Sequence, residues 1–271
     1  METSRPLTKL ETAGPLFRHH SRPRTHWPRI AHRRCCLSPR QISKAISQRP
    51  IRTGLDLWPD LVHAIDNFFL CGHDRGGRVA HRLALDFPSR ALKLCVLDIA
   101  PTLDMYNRTD MDFARAYYHW FHLIQPSPLP EKMIGGNVLH YLHAKLGGWG
   151  SHGTSFIEPE AMAEYERSMN LQPEQPGDLM PAVHTACEDY RASAGIDLDH
   201  DKESRAQGQK IMCDAMVLWG DRGVVHKMFK PLELWQAQCS GLVSGHVVPS
   251  GHFIPEELPD RTVESLRAFM V

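Results

Sequence analysis

The sequence predicts an α/β fold: a mostly parallel sheet with helices on both faces, interrupted by a helical insert. Three observations carry this. Apolar runs of strand length alternate with segments of helical periodicity. One such run stops at Gly72, and after a single acidic residue Gly76 and Gly77 open a helix on which Val79, Leu83, Ala84 and Phe87 recur at helical spacing. Between about residues 102 and 210 strand-like runs give way to mixed aromatic and polar residues, as in a helical cap.

The chain has 271 residues, 42% of them hydrophobic, and a formal net charge of +0. It can bury a full core, and α/β folds of this size often form one domain. Neutral balance argues against a general nucleic-acid binder. The seven Cys residues show no C-x-x-C spacing, and three fall inside apolar runs, which implies a reducing compartment and no metal site. No apolar run approaches the ~20 residues that a membrane span requires, so a soluble, cytoplasmic protein without membrane partners is expected.

Residues 1 to 53 differ from the rest: rich in Arg, Ser, Pro and His, with Glu2 and Glu11 as their only acids. An organelle transit peptide fits the composition, although Pro15, Pro23, Pro28, Pro39 and Pro50 leave little amphipathic helix. A disordered basic arm fits as well. From Leu55 to Ile65, Leu57, Leu61, Val62 and Ile65 give one apolar helical face leading into the next strand.

That strand and the turn after it organise the chain. Strand, sharp turn and helix around Gly72-His73-Asp74-Arg75-Gly76 form a nucleophile elbow, which holds one side chain in a tight backbone corner above the sheet. The side chain at this corner is Asp74. A carboxylate is a poor nucleophile towards amides, but it can displace a leaving group from saturated carbon, giving an ester that water cleaves. Arg75 and Arg78 beside it, at a helix N-terminus that already favours anions, suit a substrate carrying its own negative charge. A solvated Arg pair in an exposed first turn is the competing reading.

The segment Gly72 to Pro88, GHDRGGRVAHRLALDFP, resembles the elbow of the haloacetate (fluoroacetate) dehalogenases of the α/β-hydrolase superfamily. Related epoxide hydrolases usually carry Trp where Arg75 stands. The same resemblance extends to the N-terminus and gives a third, preferred reading of it as a damaged remnant of the family's N-terminal region. His20 to His26 resembles the family's H-G-F-P-x-T-H loop, with Ser21 replacing Gly and Arg22 replacing Phe. In the family that loop supplies one oxyanion-hole N–H, a role that would fall to Arg22 in this chain, and Ser21 puts the tight turn in doubt. Arg33, Arg34, Cys35 and Cys36 stand where an apolar central strand belongs. The N-terminal edge of the sheet is therefore expected to be incomplete, with unpaired strand edges.

Three later segments complete the pattern. Leu92 to Ala100 reads as a buried strand whose last residues include Asp98, at the sheet end where ligands and catalytic groups gather. Capping the next loop is the alternative role for Asp98. The resemblance implies that Asp98 orients the catalytic His; Asp221, after the strand Ala215 to Gly220, is the other acid position that α/β hydrolases use. In the cap, Tyr118-His119-Trp120-Phe121 and Cys187-Glu188-Asp189-Tyr190-Arg191-Ala192 resemble the segments in which a His, a Trp and a Tyr bind the departing halide. By the same resemblance His119, Trp120 and Tyr190 would do so in this chain, with ring N–H and phenol O–H donors. Core packing is the commoner use of such an aromatic run. Last, strand-like Gly245 to Pro249 leads to Ser250-Gly251-His252-Phe253-Ile254-Pro255-Glu256-Glu257, similar to the family's G-H-F-x-x-E-E, and then to an amphipathic helix from Pro259 to Met270.

Residues 54–101 and 211–271 are thus expected to form the core and 102–210 the cap. The resemblance, covering residues 55 to 271, implies hydrolysis of a small 2-haloacid. Arg75 and Arg78 would hold the carboxylate, Asp74 would attack, and His252 with Asp98 would activate water. The Arg75 N–H would be the second oxyanion donor. No cofactor is implied, and the partner would be a small anionic organic molecule, with a homodimer compatible. An epoxide hydrolase, using Tyr190 with Tyr117 or Tyr118, and an inactive anion-binding relative are the alternatives.

Overall fold

The computed structural model describes residues 66–175 and 177–270. Four strands, β1 (Phe68–His73), β2 (Ala91–Leu97), β3 (Asp214–Gly220) and β4 (Val243–Val248), pair in parallel in the order β1-β2-β3-β4. Side chains alternate between the two faces with the strand period of two. Leu94, Val96, Ala215 and Val217 face one core, shared with Ala80, Ala84 and Leu85 of helix α1 (Arg75–Asp86). Cys95, Leu97, Met216 and Leu218 face the other. Both faces are buried along the central strands β2 and β3, as in parallel sheets.

Between β2 and β3 the described residues form helices α2 (Thr102–Asn107), α3 (Met111–Ala116), α4 (Tyr118–Leu123), α5 (Leu129–Gly135), α6 (Val138–Leu146), α7 (Pro159–Met169), α8 (Pro181–Ser193) and α9 (Ile196–Ala206). Gly147 ends α6 where the glycine-rich break occurs in the sequence. Short helices α10 (Val224–Met228) and α11 (Pro231–Gln236) separate β3 from β4, and α12 (Ile254–Glu257) precedes α13 (Pro259–Met270). Leu266, Phe269 and Met270 of α13 pack on the second face, against Cys95, Leu97 and Met216. A fully buried side chain of that core, such as Leu97 or Leu218, contributes about 1.5–3 kcal/mol.

Strand β4 begins two residues earlier than its apolar pattern suggests, because Val243 already pairs with Ala215, and it stops before Pro249, which has no N–H to donate. Among the described residues β1 pairs only with β2. Phe69 and Cys71, on the face that α13 covers further along the sheet, are exposed. Cys95, Cys187 and Cys239 are buried free thiols. Among the described residues, no helix is long and apolar enough to cross a membrane. The proposed remnant of residues 20 to 26 and the expected helix from 55 to 65 lie outside the described residues.

Candidate active site

Asp74 follows β1 directly, with φ 48° and ψ −117°, a strained conformation for a residue with a Cβ. The corner is tight, because a Cβ on Gly72 would run into the carbonyl of Gly76. Asp98 follows β2 at φ 47°. Neighbouring strands fix both acids by their backbones: the Asp74 amide donates to Leu97 at 3.1 Å and the Asp98 amide to Leu218 at 2.8 Å.

His252, on the loop after β4, is buried between these acids. Its Nδ1 lies 2.7 Å from Oδ2 of Asp98, whose Oδ1 accepts from the Gly220 amide at 3.0 Å. Its Nε2 lies 3.8 Å from Oδ2 of Asp74, an ion-pair separation rather than a hydrogen bond. Burial opposes charge on the imidazole, but the two carboxylates prevail and raise its pKa to about 10. Burial likewise pushes the Asp74 carboxyl up, and His252, His73 and Arg78 together hold it well below the usual range. Asp221, the alternative acid, is half exposed and pairs with Arg222 at 3.6 Å. His73 is held neutral by burial and by His252, with its pKa down to about 4. Its Nε2 lies 2.8 Å from the His252 carbonyl.

The two arginines of α1 differ. Arg75 bonds Asp189 of α8 through Nε and donates through Nη2 to the Asp189 carbonyl at 2.8 Å, with its guanidinium 4.0 Å above the Tyr190 ring. Arg78 is buried, and none of its three guanidinium nitrogens has a hydrogen-bond partner. It lies 4.2 Å above the Trp120 ring, and burial followed by Arg75 lowers its pKa. A buried, unpaired guanidinium is costly and is the kind of group that an anion satisfies.

His119, Trp120 and Tyr190 come together. The His119 ring centroid is 5.6 Å from that of Tyr190, and Trp120 is 6.4 Å from Tyr190. His119 is buried, its Nδ1 has no partner, and burial first and Lys145 second depress its pKa to about 3. Burial and Asp74 keep the Tyr190 phenol protonated.

Sequence reasoning missed three neighbours. Trp149, at φ 53°, lies 4.9 Å from His119 and 5.3 Å from His252, and its carbonyl accepts from the His252 amide. It sits in Gly147-Gly148-Trp149-Gly150, a run whose glycines signal a helix stop and mask the Trp. Asp189 and Glu257 stood inside matched motifs without roles. Arg22 lies outside the described residues. The Arg75 amide opens α1, where helix N–H groups lack intrahelical partners. Elsewhere Glu131, His184 and Glu188 converge as metal ligands could. There the Arg191 guanidinium bonds Glu131 at 2.8 Å and Glu188 at 2.5 Å, so a cation is built in.

An elbow carboxylate, a strand-end acid and a loop His at one end of a parallel sheet define the class: this is an α/β hydrolase. No family model matches the chain. It is 39% identical to a fluoroacetate dehalogenase from Burkholderia sp over 205 residues, 76% of this chain and 64% of that protein. A candidate α/β hydrolase from Nostoc sp PCC 7120 is 45% identical, with 80% of this chain and 71% of that one covered at a TM-score of 0.72. A candidate epoxide hydrolase from Pseudomonas aeruginosa is 35% identical, with 80% and 68% covered at a TM-score of 0.69. The chain belongs to the α/β-hydrolase superfamily, and it spans less than two thirds of the length of the fluoroacetate dehalogenase it resembles.

Proposed function

We infer that the chain hydrolyses a small 2-haloacid, such as fluoroacetate or chloroacetate, through an ester on Asp74. The observation that carries this is Arg78: a buried guanidinium without a partner, beside an ionised elbow carboxylate, suits a substrate that brings its own anion. Its carboxylate docks on Arg78, with Arg75 as the second cation. The carbon–halogen bond then lies in line with Asp74, and His119, Trp120 and Tyr190 receive the halide. An Asp74 oxygen bonds to carbon as the carbon–halogen pair leaves with the halide.

Ester formation removes the charge on Asp74, one of the two groups that keep His252 protonated. The imidazolium then releases its proton to solvent more readily and the neutral ring becomes the base for hydrolysis, so the first step arms the second. His252 takes a proton from water, which attacks the ester carbonyl, and Asp98 carries the imidazolium. The Arg75 amide stabilises the oxyanion, and a 2-hydroxy acid leaves. Halide release from fluoroacetate and chloroacetate by the purified chain tests the reading; a folded protein that releases none rejects it.

A second reading is epoxide hydrolysis, supported by the phenols of Tyr117 and Tyr190, both kept protonated and both against His119. It leaves Arg78 without a use. Turnover of styrene oxide without halide release would favour it.

A further inference from the structure

Two consecutive acids of α12 grip the cap. Glu256 Oε1 accepts from the Tyr165 hydroxyl of α7 at 2.5 Å. The Glu257 side chain is only 8% exposed, and both its oxygens are used. Oε1 accepts from the Ser151 hydroxyl at 2.7 Å, and Oε2 accepts from the Gly251 amide and from Arg222 Nη2, each at 2.8 Å. Three segments meet at this carboxylate: the cap loop at Ser151, the exit of β3 at Arg222 and the loop that carries His252. Backbone contacts close the ring. Arg222 Nε donates to the Gly150 carbonyl at 3.1 Å, and the His252 amide donates to the Trp149 carbonyl at 3.2 Å. The loops also touch closely, since a Cβ on Gly251 would lie 2.6 Å from Ser151 Oγ.

We propose that Glu257 is a positioning residue that locks the cap loop and the His252 loop into one unit, so that seating of the cap sets the place of the imidazole between Asp74 and Asp98. A carboxylate suits the task because it accepts from three donors at once, two of them on one oxygen, with the bond to Arg222 charge-assisted. Glutamine keeps the shape by donating its NH2 to the Ser151 hydroxyl, which also accepts, so alanine, which deletes all three contacts, is the informative substitution. Small displacements matter at this site, because His252 stands at bonding distance from Asp98 and 3.8 Å from Asp74. The role as part of a two-step reaction rests on the assignment of His252 as base, so the test has a readout that does not.

The experiment compares the 271-residue chain with its Glu257→Ala variant. The first readout is the downfield proton resonance of His252 Nδ1–H, bonded to Asp98, and its titration, with Asp74, Asp98 and His73 as the facing groups. In the variant the resonance should broaden or move upfield, and the titration midpoint should fall. The second readout is chloroacetate turnover: the first equivalent of halide is retained while the steady-state rate falls about tenfold or more, with kcat affected more than KM. A folded variant with unchanged resonance and midpoint overturns the proposal. If the parent chain releases no halide, the dehalogenase reading fails while the resonance still decides the role of Glu257. If Glu257→Ala does not melt cooperatively, Ser151→Ala takes its place, deleting only the cap-side donor. A smaller shift in the same direction supports the proposal, and no shift overturns it.

Discussion

The imidazole of His252 stands 3.8 Å from the carboxylate of Asp74, close enough for an ion pair and too far for a hydrogen bond. The proposed nucleophile and the proposed base are therefore neighbours that do not share a proton, as the proposed two-step reaction requires. His252→Gln should release about one equivalent of halide per site and then stall, with the Asp74 ester visible by mass spectrometry. Asp74→Asn should release none, because an amide is a far weaker nucleophile. Continuous turnover by His252→Gln would remove His252 from the second step.

Asp98 rather than Asp221 meets the His252 ring. Asp98→Asn should lower steady-state halide release by about a thousandfold or more, since the base loses its orienting carboxylate. Asp221→Asn should stay within about twofold of the parent. Equal losses in both would reject the assignment.

Arg78 gives a prediction in which activity and stability move in opposite directions. Arg78→Met should cut haloacetate turnover by about a hundredfold, equivalent to about 2.7 kcal/mol. It should also stabilise the free protein by about 1–3 kcal/mol, because a buried cation without a hydrogen-bond partner is replaced by an apolar chain. Acetate should raise the melting temperature of the parent and not of the variant. A variant that melts lower and still responds to acetate contradicts this.

Stability should peak near neutral pH. Burial holds the pKa values of His73, His81 and His119 down to about 4, 3 and 3, whereas His252 is raised to about 10. Unfolded, each titrates near 6.5, so below about 6.5 the unfolded chain takes up protons that these three refuse when folded, and stability falls with pH. Above about 6.5 the folded chain keeps a proton on His252 that the unfolded chain has released, and stability falls as pH rises towards 10. Each group contributes about 1.4 kcal/mol per pH unit within its window. Thermal melts across pH should show a maximum near 6.5, steeper on the acid side; melting temperatures that climb from there to pH 10 would contradict it.

The sheet and the triad geometry were legible because they rest on local signals. Gly72 and Gly77 flank an acid at the end of an apolar run, Asp98 closes another, and α13 carries its apolar stripe from Pro259 to Met270 as the pattern required. The partners of the arginines were not legible. Asp189 stands 114 positions from Arg75, and only the approach of α8 to α1 pairs them. Glu257 was hidden for the same reason, since its partners Ser151, Arg222 and Gly251 converge only in three dimensions. Trp149 looked like punctuation because its glycine neighbours dominate the local pattern.

The central claim, an ester on Asp74, is tested most directly by a single turnover of chloroacetate in oxygen-18 water with enzyme in excess. Hydrolysis of the ester at its carbonyl puts the label into the Asp74 carboxylate and leaves the 2-hydroxy acid unlabelled. Direct attack of water on carbon would label the hydroxy acid and leave Asp74 untouched, and that result would contradict the mechanism.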